Sequence, residues 1–502
     1  MRRVFAEVGA PLDSITARFT NGFMYTRTLP LVGGKRTTTK LPPLWLLKVA
    51  SRLHPEFRRR TRAAARVLAE PPGPAIVRRW RTEIKPSVVA RNQAFAAVEL
   101  RALDDAALAA HCQGLLDHLF EMTELHFWLH GYDLGPIARY VALTTSLSIP
   151  TAQAVRALAG ASPSTVEPRE QLAAIRAAVG DARPTTLAEL RSCSPHAAEL
   201  LDAYLAARGH TLVTGYDLDA LTLAELPETL FDTIMRSEDI GSDDGRAATE
   251  AIRAMVPADR RAEFDDRLAE ARLVMDMRDD NGPTVFEQPA GLLRLGLLEV
   301  GGRLVARGAA DRAEHALELA HDEIEPLLRV GHGPTRTELA RRAADRRADA
   351  ALEPPVKLGP VEPVPPPDVL PGPLAVFATT VQVALVELGM LGPDLSRDGL
   401  TGTGVGSTPY RGRVRRSSSP EEAFEMMEPG DVLVVRATSP AFNAILSIAG
   451  AVVTADGGPL SHAAVLAREL GIAAVVGAHG ALDLPDGALV EVDPVAGVVR
   501  LL

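Results

Sequence analysis

Residues 454–477 read TADGGPLSHAAVLARELGIAAVVG. The run before it, Gly450–Thr454 (GAVVT), has strand character, and Ala473–Gly477 (AAVVG) repeats that character after it. Between the two, Gly457-Gly458 permits a tight backbone bend and a helix opens near Ser461. His462 therefore falls in the first turn of a helix. The positive end of a helix disfavours imidazolium and keeps the ring neutral and nucleophilic. The same unsatisfied N–H groups can stabilise an anionic group once the ring carries one. Ala463 and Ala464 are small and leave the imidazole accessible.

On either side of this stretch, short β-type runs recur at Asp431–Arg436, Ala488–Val492 and Val498–Leu502, with helical text at Asn443–Ala449 and Ser461–Leu470. Residues 400–502 thus read as a compact α/β domain. Upstream the text is Ala, Leu, Arg and Glu at helical spacing, as in Arg101–Leu119, Ser194–Arg208, Pro257–Met277, Leu292–Arg307 and Arg336–Leu352. Turn punctuation separates these runs at Gly160–Pro163, Gly209, Gly215, Asp279–Pro283 and Gly331–Pro334. Before residue 90, Asn21–Thr28 reads as a short strand and His54–Glu70 as a basic helix. The expected fold is a mainly α N-terminal domain, 1–352, followed by the α/β domain. Prolines dominate 353–373, which favours an extended polyproline arm over a helix. Two readings stand for it: a surface wrap, or a semi-rigid hinge reaching roughly 60 Å. A connecting helix over 374–399 completes the partition.

Composition narrows the function classes. Formal net charge is −10, which argues against general nucleic-acid binding, since that depends on an excess of Lys and Arg. Aromatics are 4%, leaving few stacking platforms for single strands. Two cysteines, Cys112 and Cys193, make neither a disulfide framework nor a cysteine-rich zinc site. The N-terminus lacks an apolar stretch after its arginines, and Leu374–Leu391 contains Thr379, Thr380, Gln382 and Glu387. A soluble cytoplasmic protein without membrane contact is expected.

Gly457–Ala464, with Ala467-Arg468-Glu469-Leu470-Gly471-Ile472 after it, closely resembles the swivelling phosphohistidine domain of the phosphoenolpyruvate-utilising enzymes. Pro429–Val434, Thr438-Ser439-Pro440 and Gly412-Arg413-Val414 fit the same pattern. The resemblance implies a swivelling β/β/α carrier domain with His462 as the phosphate carrier, in a turn shaped by Ser461, Gly457, Gly458 and Thr454. In layout the chain is similar to the rifampicin phosphotransferases, through Asn21–Tyr25, Leu205–Leu230, Met277–Asn281 and Arg294–Gly308. Those enzymes carry an ATP-grasp domain, which this sequence does not show. The resemblance therefore implies ATP and Mg²⁺ on an ATP-grasp partner, with phosphate passing to a small-molecule acceptor in the helical domain. Two alternatives stay open: a ligase-type component that activates an acceptor oxygen, and a non-catalytic relic that binds or regulates.

Other residues qualify as lesser candidates. Arg278, beside Asp279, Asp280 and Asn281, could clamp a phosphoryl group with its two-pronged guanidinium, and Arg294 has similar standing. His210, after Gly209, could serve as an acceptor-site base or simply pack at a helix end. His126 and His130 lie one helical turn apart, but no third metal ligand is identifiable, so no metal site is expected. Arg411, Arg413, Arg415 and Arg416 form a basic run, read as a solvated or docking face. Gly33-Gly34-Lys35 reads as a basic loop, with a nucleotide contact as the rival reading.

Overall fold

The computed structural model describes residues 1–502 except 33–38, 238–244, 351, 353–354, 356–357, 361, 388–399, 439–441 and 447. Gly33-Gly34-Lys35 lies outside the described residues. The chain forms two compact units, one of Met1–Gly135 with Leu292–Gln382 and the other of Pro136–Gly291 with Val383–Leu502. The C-terminal α/β region thus shares a unit with residues 136–291 of the helical region. No helix among the described residues is long and apolar enough to cross a membrane.

The first unit opens with an antiparallel hairpin, β1 (Leu12–Thr20) and β2 (Phe23–Pro30). Asn21 and Gly22 have φ of 49° and 76°. Two successive positive φ angles make a hairpin turn whose twist matches its strands. The strand expected at Asn21–Thr28 therefore starts two residues later, and its partner lies before the turn.

The proline-rich stretch is laid against this hairpin. Tyr25 donates its hydroxyl to the Pro355 carbonyl at 3.0 Å, and Arg27 grips Glu362 with two bonds of 2.7 and 2.8 Å. Ser51 Oγ donates to the Val369 carbonyl at 2.7 Å in a buried contact. Among the described residues, Pro355, Glu362 and Val369 thus make the contacts that a surface wrap would make. Helix Gly372–Glu387 starts inside the segment expected to be linker.

In the second unit, the apolar faces of helices Pro163–Val179, Leu187–Cys193, Pro195–Arg208 and Pro227–Arg236 meet around Ile175, Leu190, Leu201 and Ile234. Helix Arg261–Asn281 was expected to stop at a turn over Asp279–Pro283. Instead a π-helical segment, Gly282–Glu287, carries the chain straight into helix Gln288–Ala306. The wider hydrogen-bonding ring lets Pro283 and Pro289 sit in a continuous rod, and such segments concentrate at functional sites. Gly291 on this rod lies so close to the His210 loop that an added Cβ would stand 1.8 Å from the His210 carbonyl oxygen and 3.0 Å from Thr222 Cγ2. Gly291→Ala is expected to destabilise the fold by roughly 1–3 kcal/mol, as overpacking does. A denaturation midpoint equal to wild type contradicts this packing.

The C-terminal sheet has seven strands, β3 (Thr403–Val405), β4 (Tyr410–Arg416), β5 (Val432–Val435), β6 (Ala451–Thr454), β7 (Ala473–Val476), β8 (Leu489–Asp493) and β9 (Val498–Leu501), in the order β3-β7-β6-β5-β4-β8-β9. β4, β5, β6 and β7 pair in parallel, with antiparallel strands at both margins. The sequence runs had located five of these strands and missed β3 and β4. Burial is two-sided: Leu433, Val435 and Val452 face helix His462–Leu470, while Val432, Val434 and Val453 face Val490 and Val492. A sheet covered on both faces explains the unbroken apolar text of β5, β6 and β7.

Candidate functional site

Parallel strands deliver their following loops to one edge of a sheet, where open α/β folds place their chemistry. β5 and β6 are such neighbours. The loop after β5 supplies Thr438 and the turn after β6 supplies His462. Thr438 Oγ1 stands 2.8 Å from His462 Nδ1, so one ring nitrogen is engaged and orients the imidazole. The Gly-Gly turn makes this possible. Gly457 has φ of 116°, and a Cβ there would meet Ser461 Cβ and Oγ at 3.0 Å. Ser461 N donates to the Gly458 carbonyl at 2.8 Å, closing the turn. Thr454, fully buried, donates its hydroxyl to the Asp456 carbonyl at 2.7 Å and braces the same turn from below, rather than touching the imidazole in any described bond.

Ser461 caps helix His462–Leu470, its Oγ accepting from Ala464 N at 3.4 Å, and His462 is the first helical residue. Burial holds the His462 ring at a pKa of about 4. The ring is therefore neutral at physiological pH, as its place at a helix N-terminus suggests. A depressed histidine pKa stabilises the fold fully above the unfolded value near 6.5, and that stability is lost as pH falls from 6.5 towards 4. Titration of the His462 ring proton by NMR is expected to give a midpoint near 4. A midpoint of 6 to 7 contradicts the burial.

The helical part of the same unit reaches this site. Arg278 Nη2 donates to the Leu460 carbonyl at 3.3 Å, two residues before His462 in the chain, while its Nη1 donates to Asp279 Oδ1 at 3.0 Å. Arg278 and His462 are thus brought into one neighbourhood, though 184 positions apart. The other candidates distribute differently. His210 shares the unit; its Nδ1 is buried without a hydrogen-bond partner, and burial lowers its pKa. Beside the His210 loop, Leu212 N donates to the Glu287 carbonyl at 3.3 Å, and burial raises the Glu287 carboxyl to about 8. Arg294 belongs to the other unit, where it is buried and its charge acts on Glu314.

Several sequence candidates take structural roles. Arg411 pairs with Glu491 at 2.7 Å and Arg415 with Asp431 at 2.9 Å, while Arg416 Nη1 donates to the Leu482 carbonyl at 2.8 Å. Those arginines knit the C-terminal sheet together. His130 Nδ1 lies 2.6 Å from Asp133 Oδ2, and His126 packs edge-on against His130. Among the described residues no group of three or more His, Cys, Asp or Glu side chains is placed to hold a metal ion.

Residues 427–497 match the family model for the PEP-utilising enzyme, mobile domain. This segment is a mobile domain of the PEP-utilising enzyme family. Relatives extend the likeness. An uncharacterised protein of Mycobacterium tuberculosis is 37% identical over 213 residues, covering 42% of this chain and 22% of that protein. A phosphoenolpyruvate synthase of Aeropyrum pernix is 51% identical over 89 residues, 18% of this chain and 11% of the synthase. A rifampicin phosphotransferase of a Streptomyces species is 29% identical over 329 residues, 61% of this chain and 35% of that enzyme. The chain spans about a third of the length of these relatives or less. The long alignment to the phosphotransferase reaches beyond the mobile domain into the helical region, since the mobile domain accounts for only residues 427–497.

The role of Thr438 was not assigned from the sequence, although its Thr-Ser-Pro motif was visible. Finding it requires knowing that β5 and β6 are parallel neighbours.

Proposed function

We propose that this chain is the carrier and acceptor part of a phosphotransferase, with His462 carrying the phosphoryl group. The observation that carries the reading is the pairing of Thr438 Oγ1 with His462 Nδ1 in a mobile domain of the PEP-utilising family. In the tautomer whose Nδ1–H donates to Thr438 Oγ1, the lone pair of the neutral ring is on Nε2. Nε2 attacks phosphorus, a P–N bond forms, and the bond to the departing donor oxygen breaks. The donor is ATP with Mg²⁺ on an ATP-grasp module outside these residues, in a partner or elsewhere in a longer chain. No step here depends on metal ligands from the described residues.

The charged histidine then meets the helical part, where Arg278 already stands against the His462 turn. The acceptor is a small-molecule hydroxyl or carboxylate. Its oxygen attacks the phosphoryl group, the P–N bond breaks, the electron pair returns to Nε2, and the proton of a hydroxyl acceptor passes to solvent. Such transfer needs alignment and charge stabilisation rather than covalent work by the helical part.

The test uses the full chain with an ATP-grasp protein and ATP labelled on its β and γ phosphoryl groups. The chain is expected to take up acid-labile, alkali-stable label, and His462→Ala to take up none. Equal labelling of both sinks the reading.

A further inference from the structure

Helix His462–Leu470 is buried on all sides from Ala463 to Glu469. One side belongs to the mobile domain's own core, through Ala463, Ala464, Leu466 and Ala467. The other side presents Arg468 and Glu469, with side chains only 5% and 8% exposed, to the helical part of the same unit. Arg468 Nη2 donates to Glu469 Oε1 at 3.3 Å. The Glu469 carboxylate also accepts from the Gly160 backbone N–H, and the charge of Arg468 acts on Asp279. Asp279 in turn bonds Arg278, whose other arm holds the Leu460 carbonyl. Ser162 donates to Asp279 as well. Gly160 is aimed by its surroundings. It has φ of 66°, and Arg272 Nη1 ties down the carbonyls of Ala157 and Ala159 at 2.5 and 2.8 Å.

Two arginines and two carboxyl groups, Arg278 and Asp279 on the helical part with Arg468 and Glu469 on the mobile domain, thus meet in one contact, Arg468 and Glu469 buried and Arg278 and Asp279 part-buried, where desolvation raises both carboxyls and the arginines beside them oppose that rise. We propose that they form a latch that docks the mobile domain with His462 at the acceptor side and sets how long it stays there. This rests on the phosphotransferase reading only for what the docked domain does. A permanent interface would be filled by apolar side chains, because burying ions is costly and well-packed apolar replacements commonly hold as well or better. A carrier that must leave for its donor needs a contact that is specific when closed and easily rehydrated when open. Paired charges supply both. Removing one member leaves another charge buried and uncompensated, which forces the contact open. Arg468, Glu469 and Asp279 are therefore positioning residues, acting on the chemistry through the placement of His462.

Hydrogen exchange of the full chain, read by mass spectrometry at residues 158–162 and 463–470, tests the latch without any phosphoryl donor. Arg468→Ala and Asp279→Ala are each expected to speed exchange at both segments at least tenfold. Strands β5 and β7 report the fold and should keep wild-type protection. The double change Arg468→Leu with Glu469→Leu is expected to exchange no faster than wild type and, with a donor present, to be charged several-fold more slowly. Wild-type exchange in Asp279→Ala, which lies outside the mobile domain and leaves its core intact, overturns the latch. So does a double variant that opens as readily as the single ones. Absence of phosphate on His462 in the wild-type chain would instead defeat the phosphotransferase reading and leave the exchange result standing.

Discussion

An Arg278→Ala chain is expected to accept phosphate on His462 at least as fast as wild type and to discharge it about 10²–10³-fold more slowly, the range seen when one donor to a transition-state anion is removed. The guanidinium is already held beside the His462 turn, spending one arm on Asp279 and the other on the neutral Leu460 carbonyl. A phosphoryl group on His462 brings charged oxygens into that neighbourhood. Charge-assisted bonds are roughly twice as strong as neutral ones, so the arm on Leu460 has reason to turn to the phosphate. Lysine offers a point charge without the planar fork, so Arg278→Lys should recover only part of the loss. The measurement is single-turnover decay of phosphohistidine in pre-charged full chain, in water and with a small-molecule alcohol added as acceptor. Unchanged decay in Arg278→Ala removes the arginine from the transfer step.

The second large effect concerns Glu287. The residue is 3% exposed, its Oε2 has no hydrogen-bond partner, and burial raises its pKa to about 8. An acid with a raised folded pKa stays protonated in the native state while the unfolded chain ionises. Stability is therefore complete below the ordinary value near 4.5 and falls as pH rises from 4.5 to 8. The full span corresponds to about 5 kcal/mol, taking 1.36 kcal/mol per pKa unit. Glu287→Gln is neutral in both states and should remove this slope. Denaturant unfolding of both chains at pH 5 and pH 8 gives the comparison. Parallel pH dependence of the two chains contradicts a protonated Glu287.

The core of the candidate site is legible in the sequence because its signal is local. An apolar run, two glycines, a serine and a histidine at a helix start lie within a dozen positions, and helix capping and turn chemistry act over that range. What stayed illegible depends on distant segments meeting. Thr438 reaches His462 only because β5 and β6 are parallel neighbours, and Arg278 reaches Leu460 across 182 positions. Local punctuation also misled in one place. Asp279–Pro283 has the composition of a turn, yet the π-helical segment absorbs Gly282 and Pro283 without breaking the rod. The proline-rich stretch was ambiguous for a related reason. Its composition dictates extension, while its pinning depends on Tyr25, Arg27 and Ser51, hundreds of positions away.

Phosphorus NMR and peptide mass spectrometry of the full chain, after incubation with an ATP-grasp protein and Mg²⁺–ATP, probe the proposed carrier role of His462 most directly. One phosphohistidine is expected, at His462 and on Nε2, since Nδ1 is engaged by Thr438. Phosphate on any other residue, on Nδ1, or on none at all contradicts it.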